Sequence, residues 1–196
     1  MCGNGARCFA RFVQPWPRAD AARVRFLTPA GLITGEYVGH EIRVNLTPPT
    51  DLKLNRHADF GWGDVTFHSL NTGVPHAVVE VPDVEVAEVL SLGRAIRYSK
   101  LFERGTNVNF VQVTEAGDLI VRTYERGVEG ETLACGTGVT AAALLIHRVR
   151  GLPLPLRVKV RGGDTLVVSF LKERGDYHGV SLTGPADFVF EGQIGI

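Results

Sequence analysis

Residues 134–150 read Ala134-Cys135-Gly136-Thr137-Gly138-Val139-Thr140-Ala141-Ala142-Ala143-Leu144-Leu145-Ile146-His147-Arg148-Val149-Arg150. From Val139 to Val149 almost every side chain is apolar, so a helix here has no face for water and must be buried on every side. The run falls short of the about 20 apolar residues that cross a bilayer, so its cover is protein. Strand-like runs at 65–70, 76–81, 108–113, 119–124, 156–160, 165–171 and 178–183 supply that cover, each apolar or alternating and bounded by turn residues. Glu115-Ala116-Gly117-Asp118 marks a hairpin between two of them. Residues 83–99 carry Val86, Val89, Leu90, Leu92 and Ile96 at helical spacing, with Asp83 as the expected N-cap. Many short strands with few helices predict an α+β class, mostly antiparallel.

Toward the N-terminus, 48–64 is polar and rich in Pro and Gly and reads as an inter-domain linker. Before it lie strand-like runs at 23–28, 32–38 and 41–46, the last two joined through Gly39-His40. Residues 5–13 place Ala6, Phe9, Ala10 and Val13 at helical spacing and stop at Gln14-Pro15-Trp16-Pro17. Cys2-Gly3-Asn4-Gly5-Ala6 opens that helix as Cys135-Gly136-Thr137-Gly138-Val139 opens the later one. The shared pattern, Cys-Gly-x-Gly-apolar before a helix and then strands, predicts two copies of one supersecondary unit. One such loop alone would be weak, because most buried cysteines are inert packing residues.

Composition narrows the function. Lys plus Arg and Asp plus Glu number 21 each in 196 residues, so nothing favours a nucleic-acid or anionic-membrane partner. At roughly 150 residues per domain the length falls between one domain and two. No signal-peptide-like run opens the chain, and the expectation is a cytoplasmic protein. Three cysteines, an odd count, argue against a disulfide framework. Cys2 and Cys8 have no nearby His, and Cys135 has no Cys-x-x-Cys partner, so no metal site is expected. Cys8 is expected to serve the core. The chain lacks a Gly-x-Gly-x-x-Gly fingerprint and a phosphate loop, and no cofactor is expected.

The chemistry follows from the paired loops. A helix N-terminus presents free N–H groups and partial positive charge, which attract a carboxylate and favour a thiolate over a thiol. If the loops face each other, one sulfur can take a proton from one face of a carbon while the other returns a proton to the opposite face. The result is inversion, the work of a racemase or epimerase. His76, after Val74-Pro75, and Glu125 are candidates to orient and poise the thiols. Arg126 is a candidate for bidentate pairing with a substrate carboxylate.

Four motifs then identify a resemblance: Met1-Cys2-Gly3-Asn4-Gly5-Ala6-Arg7-Cys8, Asn107-Val108-Asn109-Phe110, Tyr124-Glu125-Arg126-Gly127-Val128-Glu129-Gly130-Glu131-Thr132 and Ala134-Cys135-Gly136-Thr137-Gly138. Together they resemble the diaminopimelate epimerase family; related proline racemases and phenazine-type isomerases share the paired cysteines or the fold, not this combination. The resemblance implies cofactor-independent interconversion of the LL and meso forms of 2,6-diaminopimelate, in lysine and peptidoglycan-precursor synthesis. The alternatives are a racemase of another small amino acid and a non-catalytic binding remnant. It implies two pseudo-repeated domains, each a barrel-like sheet around a central helix. It further implies that Cys2 and Cys135 are the acid–base pair, tuned by His76 and Glu125. Gly3, Asn4, Asn107, Glu125, Arg126, Gly136 and Thr137 would contact the substrate, a small amino acid; a homodimer is compatible with this reading. Where many family members have Asn-Pro-His, this chain has Val74-Pro75-His76, and Asn71 is a possible substitute for the absent Asn. Family members also carry a long segment before the first cysteine motif. The expectation is therefore an incomplete first domain (1–62), a complete second (63–184) and a tail (185–196) returning to the first, with a bare sheet edge and an apolar helix face left exposed.

Overall fold

In a computed structural model, residues 2–16 and 22–195 are described; Met1 and the helix-stop residue Pro17 lie outside the described residues. The apolar segment forms helix α3 (Gly136–Arg150), buried continuously from Gly136 to Ile146. It closes on Gly151 in the left-handed conformation, φ 67°, which a residue without Cβ adopts at little cost. The first cysteine loop opens α1 (Gly3–Val13), and a short α2 (Ser91–Arg97) lies between them.

The strands are β1 (Arg23–Thr28), β2 (Gly31–Val38), β3 (Glu41–Asn45), β4 (Thr50–Asp59), β5 (Asp64–Asn71), β6 (Pro75–Glu80), β7 (Asn107–Val113), β8 (Leu119–Glu125), β9 (Gly130–Thr132), β10 (Leu156–Val160), β11 (Thr165–Glu173) and β12 (Asp176–Pro185). They form one open sheet in the order β1-β2-β3-β12-β11-β10-β8-β7-β6-β5-β4, with β9 added beside β8. Neighbours are antiparallel except β6–β7 and β8–β10. The chain segments closing those two parallel pairs contain α2 and α3, as a parallel crossover requires. The sheet curls round α3, which touches β5 through β8, β10 and β11, while α1 lies on β2, β3 and β12. One apolar core runs from Leu144 and Ile146 of α3 through Val158 and Leu182 to Ala10 and Ile42 beneath α1. A smaller cluster, Phe67, Ile96, Phe110 and Tyr124, fills the space under α2. Among the described residues no helix is long and apolar enough to cross a membrane.

Three local expectations are corrected. The presumed linker at 48–64 contains β4, a ten-residue strand paired with β5. Its polarity reflects its place at the sheet edge, where it buries little, and register shifts interrupt its pairing around Lys53. The helix expected over 83–99 begins only at Ser91. Upstream, side chains take the backbone groups a helix would use: Asp83 Oδ1 accepts from Glu85 N at 2.9 Å, Gln112 Oε1 accepts from Val84 N at 3.1 Å, and Arg122 donates to the Val84 and Glu85 carbonyls. Cys8, expected in the core, is exposed on α1.

β1 ends the sheet with Leu27 84% exposed, and Phe9 and Phe12 on α1 and Trp16 just beyond it stand exposed. Phe9 and Phe26 meet at 4.6 Å between ring centroids. They line an apolar groove of about 620 Å³ that reaches Cys2.

Candidate active site

Cys2 and Cys135 occupy equivalent places, each the N-cap of its helix, with φ/ψ of −123°/108° and −116°/103°. The repeat seen in the letters is thus a repeat in backbone shape. The glycine after each cysteine brings the two helix starts together. A Cβ added to Gly136 would lie 3.4 Å from Gly3 Cα and 3.0 Å from Asn4 Oδ1; one added to Gly3 would lie 3.7 Å from Gly136 Cα. Leu182 of β12 closes on both, with Cδ2 at 3.2 Å and 3.0 Å from the two added Cβ positions. Asn4 ties one loop to the other, donating from Nδ2 to Ala134 O at 3.1 Å while its Oδ1 accepts from Arg7 at 3.2 Å.

Between the helix starts lies a cleft of about 140 Å³. Cys2, Gly3 and Asn4 line it from the first loop, and Cys135, Gly136 and Thr137 from the second. Asn107 at the start of β7 and Glu125 at the end of β8 join them. Val74 and Ala134 complete the lining, so an apolar side chain takes the place expected of a family Asn. Asn71 does not substitute for it there. Its Oδ1 accepts from Gly73 N at 2.8 Å, and it borders a neighbouring cavity of about 360 Å³.

The two sulfurs differ in surroundings. Cys2 is exposed and its Sγ accepts from Gly5 N at 3.3 Å. Cys135 is buried, its Sγ 3.5 Å from Thr137 Oγ1. Burial pushes the Cys135 thiol up to about 11 despite the Thr137 hydroxyl, and the Glu125 carboxylate adds to the rise. The expectation that a helix N-terminus leaves this sulfur as thiolate is corrected: loss of water outweighs the helix field.

His76 does not line this cleft and borders the neighbouring cavity of about 360 Å³ instead. It is fully buried, and its Nδ1 lies 3.1 Å from Asn109 Nδ2. Burial, then the Arg126 guanidinium, push the imidazole down to about 3, so the ring is neutral near pH 7. Arg126 also stands outside the cleft lining, its Nη1 donating to Arg104 O at 2.9 Å. Asn107 spends its amide on the framework: Nδ2 donates to Pro75 O at 3.3 Å and Oδ1 accepts from Arg126 N at 2.8 Å. Sequence reasoning missed Arg7, a buried arginine whose Nε donates to Pro185 O at 3.3 Å, and it missed Asn109. Asn109 stood in a quoted motif, but nothing in the letters said which way its amide faces.

The sequence pattern of the diaminopimelate epimerase family matches residues 68–189. A diaminopimelate epimerase of Aquifex aeolicus is 46% identical over 200 residues, covering 99% of this chain and 69% of that protein. The chain belongs to the diaminopimelate epimerase family. A second diaminopimelate epimerase, from Chlorobaculum tepidum, is 40% identical over 200 residues, covering 99% of this chain and 74% of that one. Membership of this family makes the chain an isomerase, and its substrate class a small amino acid. The fold is shared more widely. A phenazine biosynthesis protein of the PhzF family from Bacillus anthracis superposes with a TM-score of 0.74 at 14% identity, covering 100% of this chain and 76% of that one. A probable proline racemase from Agrobacterium radiobacter superposes at 0.67 with 20% identity, covering 89% and 61%. Like the diaminopimelate epimerase family, these are α+β proteins rich in sheet, as expected from the alternating runs.

Proposed function

We propose that the chain interconverts the LL and meso forms of 2,6-diaminopimelate by proton transfer through Cys2 and Cys135, without a cofactor, in the synthesis of lysine and peptidoglycan precursors. The observation carrying this reading is the meeting of two cysteine-capped helix starts at Gly3 and Gly136, with both sulfurs on one cleft.

Removal of the α-proton leaves negative charge that spreads onto the substrate carboxylate. Two sets of free backbone N–H groups, in fixed positions, favour that charge without reorganising. The Cα–H bond breaks as its proton passes to the sulfur on one side. A new Cα–H bond forms on the other face with the proton of the opposite thiol. Each turnover therefore ends with the protonation of the two sulfurs exchanged, and nothing is oxidised. The high proton affinity of Cys135 suits it to rest as the thiol that gives a proton, with Cys2 taking one in that direction. Glu125 favours the thiol form at Cys135. Gly3, Gly136 and Thr137 would serve the substrate through backbone N–H groups, Asn4 and Asn107 by holding the loops in place, and Arg126 by moving toward the carboxylate.

The test is proton exchange in deuterated water. The expected result is deuterium at the α-carbon of LL-diaminopimelate, with meso product, and none in L-proline. Exchange in proline alone, or diaminopimelate exchange unchanged in Cys135→Ala, would overturn the reading.

A further inference from the structure

We propose that Asn109 is a positioning residue that holds His76 as the tautomer protonated on Nε2, so that the imidazole enters the reaction as a hydrogen-bond donor and not as a base. Its bearing on the reaction rests on the two-cysteine reading above; the tautomer itself does not.

The two ends of the Asn109 amide are told apart by their partners. Asn109 is completely buried on β7, and one end of its amide lies 3.0 Å from Ala77 O. A carbonyl only accepts, so that end is the NH2. The opposite end takes the Thr123 hydroxyl of β8 at 3.0 Å, consistent with a carbonyl oxygen. The orientation is thus set by the Ala77 carbonyl, a partner of fixed polarity, rather than chosen. The same Nδ2 lies 3.1 Å from His76 Nδ1. A nitrogen facing a donor must offer its lone pair, so the single proton of the neutral ring sits on Nε2. Nε2 is buried and has no partner in the structure.

Three features lock the arrangement. The strands β6 and β7 are parallel with His76 opposite Asn107 and Val78 opposite Asn109, so His76 and Asn109 share one face in staggered neighbouring positions. A Cβ at Gly138 would overlap Asn109 Oδ1 and lie 3.3 Å from Cys135 Cβ. The amide therefore rests on the first turn of α3, beside the buried cysteine, and glycine at 138 is what admits it. Arg126 adds positive charge near the ring, which opposes a second proton. Leaving that N–H buried without a partner costs stability, a cost that donation to charge developing in the reaction would offset.

The test is nitrogen NMR of the full chain labelled in its histidine rings, with the His76 signals identified by their loss in His76→Gln. The expected spectrum has Nδ1 unprotonated and Nε2 protonated. Asn109→Asp replaces the donor with an acceptor and should move the proton to Nδ1, with kcat for diaminopimelate exchange falling about tenfold or more and KM little changed. Thr123→Val removes the hydroxyl partner but leaves the Ala77 carbonyl to hold the amide, and should keep the wild-type pattern. Wild-type protein protonated on Nδ1, or an Asn109→Asp variant with the wild-type pattern, would overturn the proposal, and the wild-type spectrum decides even if a variant fails to fold. The Nε2 pattern together with no exchange in any form would support the tautomer and overturn the epimerase reading instead.

Discussion

Adding one methyl group at Gly136 should separate the two sulfurs and leave the rest of the fold nearly intact. In Gly136→Ala the new Cβ would stand 3.0 Å from both Leu182 Cδ2 and Asn4 Oδ1 and 3.4 Å from Gly3 Cα. Carbon contacts settle at about 3.5–4.0 Å, so Leu182, Asn4 or the helix starts themselves must give by up to about half an ångström. Overpacking of this kind costs about 1–3 kcal/mol, and alanine's better helix propensity returns at most about 1 kcal/mol. The expected net loss is about 1–2 kcal/mol, a fall of several degrees in Tm. Activity should suffer more. A misplacement of about 1 Å can cost about a hundredfold, so half of that predicts about a tenfold loss in kcat for α-deuterium exchange. Gly130→Ala is the matched control, since its added Cβ meets nothing within 4 Å; both properties should hold there. Wild-type exchange in Gly136→Ala, measured beside a lowered Tm, would refute the idea that the Gly3–Gly136 approach sets the site.

Acid should destabilise the fold through His76. Its folded value of about 3 lies below the ordinary 6.5, so the unfolded chain binds the proton first as pH falls. Stability is whole above 6.5 and is lost between 6.5 and about 3, by at most about 5 kcal/mol; urea titrations should show this slope flattened in His76→Gln, and an equal slope would count against it. With its value raised to about 11, Cys135 is about one-thousandth thiolate at pH 8. Iodoacetamide should therefore modify exposed Cys2 and Cys8 first, as read by peptide mass, and equal labelling of Cys135 would contradict its burial. Arg122→Met removes bonds to Glu131 at 2.7 and 2.8 Å and to two carbonyls, with an expected loss of about 2–3 kcal/mol in urea unfolding. Arg122 lowers the Glu131 value first among its causes, so this part of the stability is present above 4.5 and lost as pH falls further; a variant with unchanged acid sensitivity would argue against the pairing.

The sequence told most where a pattern had one physical solution. The stretch 139–149 could only be a buried helix, and the doubled Cys-Gly-x-Gly gave the two N-caps before any coordinates did. Strands with apolar faces were legible for the same reason. β4 was not, because its inner face is only half-buried and sets Arg56 between Leu54 and Ala58, so the alternation is faint in the letters. Residues 83–90 have helical spacing, yet Arg122 and Gln112, far away in sequence, compete for their backbone groups. In the candidate site, most of the residues that share the cleft were legible and their surroundings were not. The letters marked Cys135, but the burial that holds it as a thiol depends on everything packed round α3. They marked Arg126 as a carboxylate ligand, whereas its guanidinium is engaged by Arg104 O. The role of Asn109 needs three partners on β6 and β8, none of which a single sequence can bring together.

The ladder joining β3 to β12, from Ser181 opposite Asn45 to Pro185 opposite Glu41, has a consequence beyond holding the sheet together. α1 rests on this ladder and α3 on the adjoining strands β11 and β10 of the same sheet, so the gap between the two sulfurs is measured along backbone hydrogen bonds and not across a flexible joint. Leu182 faces both glycines because of this register. A slip of one residue would turn it to the opposite face of the sheet and leave the two helix starts without their spacer. The ladder acts as a ruler, counted in whole residues. Deletions inside 41–45 or 181–185 should therefore abolish exchange, whereas the turn at Arg174-Gly175 should accept an extra residue.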